Sequence, residues 1–294
     1  MAAGHGDFMN IFGPLPSDQQ RFFQHHPAQL RVNPSPGTGF YFLNTRAPPF
    51  DDIRVRRAIN YALDRGGIVQ KNGGPTAGTT TCQILPSQIP GYRRYCPYTR
   101  DPRPDGAWHG ADLASAKRLV AESRTTGMRV TVWNTREPTG ARVEDHAVIA
   151  ALHRLGYRAR MRLLPDNKYF PLTNDAANHA QIINGGWSVD YPLASSMIGK
   201  LTCANAKPPG QLSYDPSGFC DPAIDRQIAR ATALQAIDPT RANALWAKLD
   251  RIITNRAVWL PTTTPSTTDI LSARAGNYQY HPAYGALVDQ LWVR

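Results

Sequence analysis

The clearest pattern in the chain lies between residues 39 and 65. Gly39-Phe40-Tyr41-Phe42-Leu43-Asn44-Thr45 is an apolar and aromatic run of strand length, ended by Pro48-Pro49. Asp51 or Asp52 then caps a helix that reaches Arg65, with Val55, Ala58, Ile59, Ala62 and Leu63 on one face. Gly66-Gly67 is the expected stop. Asp112 caps a second helix to about Glu122, with Leu113, Ala116, Leu119 and Val120 inward. A strand at 128–133, a helix from 142 to 155 ended by Gly156, an alternating strand at 157–164 and a strand at 180–187 follow. Two late helices start near Ala223 and at Pro239, the second behind Asp238 as its cap. Short strands near 257–261 and 268–272 lead into an aromatic tail, Tyr278 to Arg294, expected to pack. Near the start, Ser17-Asp18 caps a short helix through Phe22-Phe23, ahead of an extended Leu30-Arg31-Val32.

Alternating helices and strands predict a layered α/β domain with parallel neighbours. The 294 residues allow one large domain or two ordinary ones. No apolar run reaches the roughly 18 residues of a membrane-spanning helix. Met1 to Phe12 has neither the basic nor the apolar region of a signal peptide, so a truncated reading frame or an upstream partner sequence is expected.

Charge adds less than its size suggests. The net charge is +11, from 27 Arg and 6 Lys against 22 acids, yet no block of five like charges occurs. The densest set is Arg158, Arg160 and Arg162, alternating with Ala159, Met161 and Leu163. That is strand periodicity, a solvated sheet face more readily than a nucleic-acid groove, so no nucleic-acid partner is expected. Cys82 with Cys96 and Cys203 with Cys220 sit in loop-like segments at short separations, which fits two disulfides and an oxidising compartment. Four free buried cysteines remain the alternative.

Catalytic signatures are absent. Gly185-Gly186-Trp187-Ser188-Val189 lacks the last glycine of a nucleophile elbow, and no HExxH or phosphate loop occurs. No cofactor or metal is expected, and a binding module is favoured over an enzyme.

Three segments resemble one family. Phe42-Leu43-Asn44-Thr45-Arg46-Ala47-Pro48-Pro49-Phe50 leads into Asp51-Asp52-Ile53-Arg54-Val55-Arg56-Arg57 and ends at Asp64-Arg65. Trp187-Ser188-Val189-Asp190-Tyr191-Pro192 is the second segment, and the late helices, with Leu245-Trp246-Ala247-Lys248-Leu249-Asp250, are the third. Together they resemble the extracellular solute-binding proteins of ABC transporters, the peptide and nickel class, family 5. The resemblance implies a periplasmic-binding-protein-like type II fold, here the second lobe plus remnants of the first. Residues 1–36 would end the first-lobe segment, 37–265 form the second lobe, and 266–294 return to the first. It implies capture of oligopeptides or another small solute, permease subunits as partners, and an extracellular or periplasmic protein, membrane-tethered when full-length. The alternative is a ligand-sensing module fused to a transcription regulator.

Peptide capture needs a carboxylate for the α-amino group, an apolar wall and accessible backbone. By this resemblance Asp190 is the ammonium partner and Trp187 the packing partner, with Gly186 leaving room for backbone. Tyr191 joins the candidate site, with core packing as its other reading.

Overall fold

A computed structural model describes residues 5–12, 24–136 and 141–294. The short helix expected at 17–23 lies outside the described residues. In chain order the larger elements are β1 (Phe8–Phe12), β2 (Leu30–Pro34), β3 (Gly37–Leu43), α1 (Ile53–Ala62), α2 (Arg65–Lys71) and β4 (Gly78–Thr80). Then come α3 (Leu113–Ser123), β5 (Arg129–Thr135), α4 (Ala141–Arg154), β6 (Arg158–Leu164), α5 (Asp166–Thr173) and β7 (Ile182–Ser188). The last are α6 (Ser195–Ile198), α7 (Pro222–Gln235), α8 (Pro239–Arg256) and β8 (Trp259–Leu271).

Side-chain alternation in β3 sets the layers. Tyr41 and Leu43 point to one sheet face, where α1, α3 and α4 close a core with Val55, Ile59, Val120, Val132 and Leu152. Phe40 points to the other, where α7 and α8 supply Ile228, Trp246 and Ile253. The result is helix–sheet–helix, the expected α/β class. Strands β6, β5 and β7 are parallel neighbours, while β3 and β8 run antiparallel, so the sheet is mixed.

Three local expectations are corrected. The first helix stops at Ala62, before Gly66-Gly67. Those glycines lie in the first turn of α2, where the Asp64 carboxylate accepts from Gly67 N at 2.9 Å. An N-terminal cap three residues upstream outweighs the breaking tendency of the glycine pair. The two short late strands are one strand of 13 residues. Pro261 is tolerated inside it because pairing with β3 shifts register between Gly39 and Phe40, and proline fits a bulge. The tail beyond Leu271 packs only in part. Residues 272–294 include no fully buried position, and Tyr284 and Trp292 are 75% and 45% exposed. Yet the Tyr278 hydroxyl donates to Asp269 Oδ2 at 2.6 Å and the Tyr280 hydroxyl to Pro34 O at 3.2 Å.

Strand β8 spans two sheets. Its first half pairs with β3 and β4, and residues 266–271 pair with β1 on one side and β2 on the other. The chain from β2 to β3 makes the same passage beside it, tied by Ser35 N donating to Pro265 O at 2.8 Å. Two antiparallel strands therefore connect a small sheet of β1, β2 and the end of β8 to the large α/β body.

Both cysteine pairs are disulfides, as expected. Cα separations are 4.9 Å for Cys82–Cys96 and 4.4 Å for Cys203–Cys220. The first loop is also pinned from inside the core. Asp250 of α8 is buried and accepts from Gln83 Nε2 at 2.6 Å, Ile84 N at 3.0 Å and Leu85 N at 3.3 Å.

Candidate ligand-binding site

In an open α/β sheet, ligands bind outside the carboxyl ends of the parallel strands. Here those ends are Thr135 of β5, Leu164 of β6 and Ser188 of β7, and they point toward the two connecting strands. Val189 continues β7 by one hydrogen bond, its N donating to Pro36 O at 3.0 Å. Trp187 to Tyr191 thus lies at the carboxyl edge and beside the crossover. A cavity of about 360 Å³ opens there between Ser188 and Val189 of the large body and Phe8, Asn10, Thr267 and Tyr284 of the small one.

Trp187 is half-buried against the core that holds Trp246, with its indole Nε1 buried and unpartnered. After β7 the chain turns at Tyr191 to Leu193, enters α6 and continues through a 3-10 turn at Gly199–Leu201. This brings Lys200 back over Trp187. Its Nζ stands 4.0 Å from the ring centroid and 3.6 Å from Asp190 Oδ2. The ammonium is held between an indole face and a carboxylate, two attractions that act on the same charge.

Asp190 is not a helix cap. Its carboxylate accepts from the Ser196 hydroxyl at 3.3 Å, and its backbone N donates to that same hydroxyl at 2.8 Å. No backbone N–H of α6 reaches the carboxylate, which is 55% exposed. Tyr191 is 45% exposed and receives a hydrogen bond from Ser195 at 3.3 Å, so it sits on the rim and not in the core. Asp190, Tyr191, Lys200 and Tyr214 line a neighbouring cavity of about 470 Å³.

The two glycines differ. A Cβ on Gly185 would come within 2.8 Å of the Phe42 ring, so aromatic packing requires that glycine. Gly186 lies opposite Gly39, and a Cβ there would meet nothing nearer than 3.6 Å. The fold does not need Gly186; its bareness leaves the strand surface open.

Trp187, Asp190, Gly186 and Tyr191 are thus one contiguous edge. Sequence reasoning missed Lys200 and Ser196. They come from a later turn, and the only advance sign was Pro192, which marks the chain reversal that returns them.

Residues 1–208 match the family model of the bacterial extracellular solute-binding proteins, family 5, in its middle region. The chain belongs to this family. Among its curated relatives, a probable di/tripeptide-binding protein 5 of Pseudomonas aeruginosa is 27% identical over 284 residues, 94% of this chain and 50% of the relative. The periplasmic oligopeptide-binding protein OppA of Salmonella typhimurium is 24% identical, covering 82% and 42%. The chain spans about half the length of the curated relatives it matches. Solved structures agree in fold. Clavulanic acid biosynthesis oligopeptide binding protein 2 superposes with a TM-score of 0.84 at 22% identity, over 99% of this chain and 53% of its own. Haemophilus influenzae OppA in complex with RPPGFSPFR gives 0.75 at 18%, over 99% and 55%. These relatives are binding proteins, and among the described residues no helix is long and apolar enough to cross a membrane.

Proposed function

We propose that this chain carries one lobe and the connecting strands of a two-lobed protein that captures oligopeptides for an ABC importer. Residues 37–265 form the lobe, with 1–36 and 266–294 belonging to the other side of the crossover. The observation that carries the reading is the cation held between the Trp187 ring and the Asp190 carboxylate at the carboxyl edge of β7. A peptide α-ammonium has the same charge and size as the lysine head and takes its place. Gly186 leaves the strand surface free for peptide backbone, and Tyr191 forms the rim. Closure of a second lobe over this edge completes the site.

The two disulfides support an oxidising compartment and so an extracytoplasmic protein. A hold at the membrane and permease subunits as partners belong to the importer role proposed here. They count against a sensing module in a reducing cytoplasm. The test is titration of Asp190→Asn and the parent chain with free-amino and N-acetylated peptides, extended to millimolar peptide. The expected result is loss of affinity by about tenfold or more for free-amino peptides alone, about 1.4 kcal/mol per decade. Equal loss for both peptide types, or none for either, removes Asp190 from the ammonium site.

A further inference from the structure

Among the described residues, strands β5 and β6 leave part of one sheet face uncovered. Parallel strands are ordinarily buried on both faces. Strands β5 and β6 are covered on one face by α4, through Val130, Val132 and the inward sides of Ala159 and Met161. On the other face α5 covers only the carboxyl end, where Tyr169 packs with Trp133, Leu164 and Ile183. The remainder of that face is open to solvent, and it carries Arg129, Arg158, Arg160 and Arg162, all exposed.

Register fixes how these arginines stand. Arg129 pairs with Arg158, Thr131 with Arg160 and Trp133 with Arg162. Partners across a parallel pair share a face, so Arg129 and Arg158 lie about 4.8 Å apart at the backbone, with the column 158, 160, 162 spaced by about 6.6 Å. Like charges placed opposite each other in a sheet are destabilising. Arg162 is stacked 3.9 Å over the Trp133 ring, which fixes it on the face. Among the described residues no ion pair involves Arg129, Arg158, Arg160 or Arg162. Among the described residues the fold thus assembles four cations on one face and pairs none of them with an anion.

We infer that this face is a docking surface for an anionic phospholipid bilayer. A pleated two-strand face presents its charges in a plane and has no groove to follow a nucleic-acid backbone. A bilayer of anionic headgroups is the planar counterpart, and its surface potential attracts clustered basic residues. The net charge of +11 supplies the long-range approach, and the arginine face sets the orientation.

The experiment is co-sedimentation of the full chain with vesicles of phosphatidylglycerol mixed equally with phosphatidylcholine, beside vesicles of phosphatidylcholine alone. Binding is expected only to the anionic vesicles, and it is expected to vanish near 1 M salt, where the Debye length is about 3 Å. Each arginine near the surface contributes about fivefold, so Arg158→Gln with Arg160→Gln lowers partitioning by about 25-fold. Arg158→Glu with Arg160→Glu lowers it further. The comparison variant is Arg226→Glu with Arg230→Glu on the exposed side of α7, which reverses the same charge elsewhere. A loss there below about threefold supports an oriented face, because separated charges are screened beyond about 10 Å. Equal loss in both double reversals overturns the proposal in favour of net charge alone. Failure of the parent chain to bind anionic vesicles at low salt also overturns it, and leaves the face to an acidic protein partner.

Discussion

The Lys200 ammonium sits 4.0 Å from the centroid of Trp187 and 3.6 Å from the Asp190 carboxylate, so the edge of β7 already holds a cation of its own. A peptide amino group must compete with it. A half-exposed ion pair contributes about 0.2–1 kcal/mol and a cation–π contact about 0.5–1 kcal/mol. Lys200→Met should therefore raise the affinity for free-amino peptides by about 3- to 30-fold in calorimetric titration. A fall in affinity would mean that Lys200 itself touches the ligand.

Gly37 controls how closely β3 approaches this edge. A Cβ there would meet Ser188 Oγ at 2.7 Å and Trp187 O at 2.8 Å. Gly37→Ala should push β7 away from β3 at its carboxyl end, where one of the two contacts is unyielding backbone. We expect a loss of about 1–3 kcal/mol in denaturant unfolding and a change in Trp187 fluorescence. An unchanged spectrum and stability would show that the edge can relax at no cost.

The buried acids set the pH profile of stability. Burial pushes Asp250 up to about 6, offset in part by its hydrogen bonds from Gln83, Ile84 and Leu85; burial likewise pushes Asp215 up to about 6. Both values lie above the ordinary 3.8, so between about 4 and 6 the folded state binds more protons than the unfolded one. Their contribution is full below about 4 and is lost as pH rises through about 6. Thermal melts should therefore show Tm falling from pH 5 to pH 7, and Asp250→Asn should flatten that slope. A Tm that climbs over this range, with the same slope in the variant, would assign the pH dependence to other groups.

The disulfides act on the unfolded chain. Their sequence separations are 14 and 17 residues, for which loop-closure entropy gives about 3 kcal/mol each. Replacing Cys203 and Cys220 by serine should lower the unfolding free energy by about that amount. The Cys82 and Cys96 pair should cost less, because Asp250 still pins the Gln83 to Leu85 backbone. A larger loss from the first pair would show that the bond, and not the buried carboxylate, holds that loop.

Relief of charge repulsion gives a prediction of opposite sign. Arg158→Gln removes the charge directly paired with Arg129, so the protein should become more stable by about 0.2–1 kcal/mol in urea unfolding. Destabilisation would indicate that the Arg158 stem covers apolar surface.

Local chemistry determined much of this protein in advance. The run Phe40 to Leu43 could only be a buried strand, and Asp52, Asp112 and Asp238 each cap the helix they precede, because a side-chain oxygen at that position meets otherwise unpaired N–H groups. The two disulfides and the neighbourhood of Trp187, Asp190 and Tyr191 were also readable, since each depends on short separations along the chain. What tertiary structure decided depends on distant partners. The Gly66-Gly67 pair helps begin a helix because Asp64 folds onto it. Pro261 stays in a strand because a bulge in β8, set by its pairing with Gly39 and Phe40 of β3, removes the need for its missing N–H. Lys200 reaches Trp187 only after a chain reversal, and Asp250 meets Gln83 across 167 residues. The open arginine face was visible as an alternating pattern, but its exposure follows from where α5 ends, which no local pattern encodes. Charges and apolar stripes are written residue by residue; which of them is covered is settled by the packing of whole elements.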